Sequence, residues 1–127
     1  MKSIAEMKEK EAQADELYKK ASEENNLEKM VILGHWVDYI EELLCWKLLE
    51  CLEEHGIDPE TDDDFEITEE MEAEMVISQE DAEIELQNRE KFYKEHPYGT
   101  CRNQYYLKGI YLEKLERDIL KWVLDKE

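Results

Sequence analysis

Residues 27–54, LEKMVILGHWVDYIEELLCWKLLECLEE, decide the fold. Leu27, Met30, Gly34, Val37, Leu44 and Leu48 recur at helical spacing, and Leu33, Trp36, Ile40, Leu43 and Leu52 widen the stripe. Between Leu43 and Leu52 nearly every side is apolar. Asn25 or Asn26 supplies an N-cap and Gly56 a left-handed C-terminal stop, so an unbroken helix would run about 42 Å. A helix apolar on several sides touches more than one neighbour or offers a face to a second copy. Gly34 gives up about 1 kcal/mol of helix propensity relative to Ala, which close approach by another helix would offset.

Three further helices follow from the flanking sequence. Ser3 and Glu6 form a capping-box pattern opening a thinly apolar helix with Ile4, Met7, Ala14, Leu17 and Ala21 on one side. Thr68 caps a third element carrying Met71, Met75, Ser78, Ala82 and Tyr93, and the pair Ser78 and Asp81 marks an alternative start near SQED. The stretch His96–Thr100, HPYGT, closes it. Thr100 opens a last helix with Tyr105, Lys108, Leu112, Leu115, Ile119 and Trp122 on its main face, broadened by Tyr111 and Val123. With four Gly and two Pro in 127 residues, the expectation is a single all-α domain over 1–127. Four main helices would form a bundle, with an acidic loop between the second and third.

Charge is the other organising feature. The chain has 35 acidic and 16 basic residues, a formal net charge of −19. From Leu48 to Asn88 there are 17 Asp or Glu and no Lys or Arg, so the acidic segment 48–88 carries nearly the whole excess. Such a field repels nucleic acid and anionic membranes, and no apolar run has the roughly 18 to 20 residues that span a bilayer. Cys45, Cys51 and Cys101 lack a CxxC pattern and no secretory leader precedes them, which points to a reduced, cytoplasmic protein. Cys45 and Cys51 fall six residues apart on a helix, on different faces, and should not bridge.

A di-iron bundle needs Glu-x-x-His, and His35, His55 and His96 follow Ile32, Leu52 and Tyr93 at that spacing instead. His35 is read as a histidine hydrogen-bonded near Asp38. Asp58, Glu60, Asp62, Asp64, Glu66 and Glu69 fall at positions 1, 3, 5, 7, 9 and 12 of a loop that resembles an EF-hand, but Asp63 replaces its turn glycine and Pro59 stands near its entry. The chain has no P-loop, nucleophile elbow or dinucleotide fingerprint, and Cys101 near a helix start is only a minor reactive candidate. Neither an enzyme, a cofactor nor a dedicated metal site is expected.

Recognition remains. Residues four apart on a helix advance about 6 Å, comparable with the roughly 6 to 7 Å between successive phosphates of one DNA strand. The ladder Glu66, Glu70 and Glu74, continued by Glu80, Glu83 and Glu90, could therefore present a phosphate-like field to a basic protein. Asp62, Asp63, Asp64, Glu66, Glu70 and Glu74 are the candidate partner-binding residues. Small acidic phage inhibitors of restriction or CRISPR machinery are a general analogy for such an anti-defence nucleic-acid mimic. The alternatives are a helical structural or regulatory protein that dimerises through Trp36, Trp46, Leu43 and Leu52, and a degenerate calcium-binding module.

Overall fold

The computed structural model describes residues 1–62, 64–95 and 112–126. These are mostly helical and contain no strand, so the protein is all-α. The described residues form six helices: α1 Ile4–Glu23, α2 Leu27–Leu44, α3 Leu48–Glu54, α4 Glu69–Met75, α5 Gln79–Glu95 and α6 Leu112–Val123. The HPYGT turn, the Thr100 cap, Cys101, Tyr105, Lys108, Tyr111 and Asp63 lie outside the described residues.

Local sequence fixes the starts and stops. The Ser3 hydroxyl accepts from the Glu6 N–H at 3.1 Å while the Glu6 carboxylate accepts from the Ser3 N–H, completing the capping box. Asn26 caps α2 by accepting from Lys29 N–H, and Thr68 caps α4 by accepting from Met71 N–H. Ser78 accepts from Asp81 N–H at 3.1 Å at the head of α5. The ends of α1 and α3 are both Schellman turns. Asn26 N–H reaches Ala21 C=O with Asn25 at φ 55°, and Ile57 N–H reaches Leu52 C=O with Gly56 at φ 68°.

Two long stretches are broken, the second at the alternative SQED start that Ser78 and Asp81 marked, and the breaks explain each other. The helix expected over 27–54 stops at Leu44 and restarts at Leu48; the one from Thr68 stops at Met75 and restarts at Gln79. Across the two corners, Lys47 N–H donates to Met75 C=O at 2.8 Å and Ile77 N–H donates to Leu43 C=O at 2.9 Å. Helix ends have orphan donors and acceptors, and here each corner satisfies the other's. Six helices replace the expected four for this reason.

The bend at 45–47 divides one apolar stretch between two clusters. Met7, Tyr39, Ile40, Leu43, Ile77, Leu86, Ile119, Leu120 and Val123 are among the residues that build the main core, where α1 packs on α2 and α6 packs on both α2 and α5. Cys51, Leu52, Met71 and Met75 form a second cluster between α3 and α4, flanked by Leu48, Ile57 and Phe65. Gly34 receives the ring of Tyr18 rather than another backbone: a Cβ there would lie 3.3 Å from Tyr18 Cε2. Trp36 meets Trp122 edge-on at 6.2 Å, and Lys10 sits over both rings.

Candidate functional site

The acidic segment separates into two regions with different electrostatics. On α5, Glu83 pairs with Lys126 at 2.8 Å, Glu90 with Lys121 at 3.8 Å and Glu85 with Arg89 at 3.4 Å. Arg89 also bonds Glu116 of α6, which His35 approaches at 3.3 Å. Burial opposes ionisation of Glu116, but His35 and Arg89 outweigh it and hold the carboxyl below its ordinary range. His35 Nε2 therefore faces Glu116. Lys121 of α6, Lys126 just beyond it and Arg89 of α5 itself thus answer three acids of α5.

The corner formed by α3, α4 and their connecting loop is different. Asp62, Asp64, Glu66 and Glu70 are exposed, and none enters an ion pair with a cation among the described residues. The ladder read from the sequence is not one helical row, because Glu66 precedes α4 and the chain leaves the helix at Val76. The loop also spends oxygens on itself. Asp58 accepts from Glu60 N–H and Asp62 accepts from Asp58 N–H, both at 3.0 Å, closing a local turn. Those two carboxylates serve the backbone at the positions where an EF-hand would turn them to an ion.

Glu74 is engaged inside the chain. Its Oε2 lies 2.7 Å from His55 Nε2 and accepts from the Cys51 thiol at 3.5 Å. Cys51 and His55 stand four apart, one turn along α3, and Glu74 reaches them from α4. The three ligand atoms lie within 4.8 Å of one another, the single such group of His, Cys, Asp or Glu found among the described residues. The sulfur is buried at the floor, with the imidazole and carboxylate on the exposed rim. The hydrogen bond to Glu74 raises the pKa of His55 and lowers that of Glu74; burial, then Glu74, raises that of the Cys51 thiol. Sequence reasoning sought Glu-x-x-His and passed over this set; its only local trace was Cys51-x-x-x-His55.

Comparison of the chain with protein-family models, curated proteins and solved structures finds no match. The site's meaning therefore rests on its geometry.

The residues read as a dimer face are used within the chain. Leu43 is 0% and Leu52 2% exposed, one in each cluster, while Trp36 and Trp46 pack against the main core. Leu43 and Leu52 are thus engaged inside the chain, whereas Trp36 and Trp46 are only partly buried and Leu49, between Leu43 and Leu52 in the chain, is 73% exposed. No helix among the described residues is long and apolar enough to cross a membrane.

A second carboxylate pair lies between α1 and α2. Glu11 and Glu41 line a cavity of about 390 Å³ together with Lys8, Leu44, Cys45 and Met75. Glu11 Oε2 is buried without a hydrogen-bond partner among the described residues. Burial first, then the hydrogen bond and charge of Glu41, push Glu11 up to about 7.

Proposed function

We propose that the protein acts without catalysis, as an acidic binding protein whose α3–α4 corner and joining loop cover a basic surface on a partner protein. The observation that carries this is the division of the acidic segment: Glu83, Glu85 and Glu90 of α5 meet Lys126, Arg89 and Lys121, whereas Asp62, Asp64, Glu66 and Glu70 stay exposed and unpaired with described cations. Concentrated like charge costs stability, and a partner's Lys and Arg relieve that cost while its approach is accelerated by the field. The best-fitting partner class is a protein whose own ligand is DNA or RNA, since its binding groove already offers rows of cations at phosphate spacing. Occlusion of such a groove would inhibit a nucleic-acid-targeting defence enzyme. Glu74 leaves the contact set because His55 and Cys51 hold its carboxylate.

The test replaces Asp62, Asp64, Glu66 and Glu70 together by their amides and compares capture from a nuclease-treated extract at low and high salt. A basic protein retained by the native chain, displaced by duplex DNA or RNA and lost with the amide variant supports the reading. Capture of the same proteins by both chains, with the same salt dependence, would refute it.

A further inference from the structure

We propose that Cys51, His55 and Glu74 form a binding site for a divalent transition ion, with Zn²⁺ the best match. The inference does not depend on the acidic contact surface, from which Glu74 has been removed.

Ligand chemistry selects the ion. A thiolate, an imidazole and a carboxylate are the three donor types Zn²⁺ takes in proteins, at about 2.3, 2.0 and 2.1 Å respectively. Ca²⁺ and Mg²⁺ require oxygen sets and gain little from sulfur. Tetrahedral placement around those bond lengths separates sulfur from oxygen by about 3.6 Å and nitrogen from oxygen by about 3.3 Å. Cys51 Sγ and Glu74 Oε2 already stand 3.5 Å apart. His55 Nε2 and Glu74 Oε2, at 2.7 Å, are held by a hydrogen bond that an ion would replace. The required widening of about 0.6 Å falls on the two side chains at the exposed rim.

The scaffold suits that purpose. Cys51 on α3 and His55 at its C-cap stand one turn apart, and the Schellman turn at Gly56 follows directly after His55. Glu74 comes from α4, so coordination would join two helices whose shared contacts are the Cys51, Leu52, Met71 and Met75 cluster. Three protein ligands leave a fourth position for water or another donor. An ordinary interhelical hydrogen bond accounts for His55 and Glu74; it does not require a thiol buried beneath them at coordination distance.

The experiment is Zn²⁺ titration of the full chain by calorimetry, with excess Mg²⁺ present to occupy the oxygen-only acidic surface. Co²⁺ is then used as a spectroscopic probe. The expected result is saturable uptake of one ion per chain, a thiolate-to-Co²⁺ charge-transfer band and a higher Tm with Zn²⁺. Cys51→Ser should abolish the band and weaken Zn²⁺ binding by at least about tenfold, the low end of what even an outer-shell change costs. Cys45→Ser should leave both intact. If Cys51→Ser loses helicity, His55→Gln on the exposed rim decides, with the same tenfold weakening expected. Diffuse uptake abolished by Mg²⁺, a Co²⁺ spectrum without thiolate character, or wild-type binding by a folded Cys51→Ser or His55→Gln chain would overturn the proposal.

Discussion

Near neutral pH the α1–α2 interface contains a carboxyl that resists ionisation, and Glu11→Gln removes its titration while keeping its shape. Burial and the facing Glu41 push Glu11 up to about 7 from an ordinary value of 4.5. Because the folded-state value is the higher one, the folded chain keeps a proton that the unfolded chain has released between those two pH values. The stability this contributes is fully present below about pH 4.5 and lost as pH rises through about 7. At about 1.36 kcal/mol per unit the ceiling is roughly 3 kcal/mol, and partial exposure to solvent reduces it to roughly 1 to 2 kcal/mol. Urea unfolding at about pH 4 and about pH 8 measures it, with the difference between wild type and variant cancelling the background repulsion of the acidic chain. Glu11→Gln should match wild type at the lower pH and exceed it by roughly 1 to 2 kcal/mol at the higher. A variant equally displaced at both pH values, or no more stable at the higher one, would refute the assigned environment of Glu11. Glu41→Gln should shrink the wild-type loss by removing the facing charge.

Other consequences follow from the packing. Leu43→Ala opens a cavity in the main core at a fully buried position and should cost about 2 to 5 kcal/mol in chemical denaturation. Gly56→Ala forces a side chain into the left-handed region with no atom within 4 Å of the new Cβ, so its cost of about 1 to 2 kcal/mol should be conformational alone. Ser78→Ala removes the cap of α5 and should lower stability by about 1 kcal/mol, readable in the same unfolding curves. Added NaCl should raise Tm by screening the acidic corner, and the rise should be smaller in the chain with Asp62, Asp64, Glu66 and Glu70 amidated.

The caps at Ser3, Asn26, Thr68 and Ser78 and the stop at Gly56 were legible because each is settled by residues within one turn. The apolar girdle from Leu43 to Leu52 correctly announced more than one neighbour. Its bend was illegible, because Cys45, Trp46 and Lys47 contain no Gly or Pro and the helix yields to backbone bonds from Met75 and Ile77, some thirty residues away. The same dependence on tertiary approach concealed the Cys51, His55 and Glu74 set, since Glu74 is 19 residues from His55. Glu74 read from the sequence as a free acid for this reason. The position of uncompensated charge was legible, but its limits were not: only packing shows Lys121 and Lys126 drawing Glu90 and Glu83 out of it.

The paired corner bonds also act as a clock. Lys47 donates to Met75 and Ile77 donates to Leu43, in opposite directions across one gap. Separation of the two corners releases both amides in the same event, so their protons should exchange with deuterium at a shared, slow rate although thirty positions divide them. Binding that holds the α3–α4 corner in place would slow both together. Two peptide protons can thus time the motion of the acidic surface from the backbone beneath it, without any label on the surface itself.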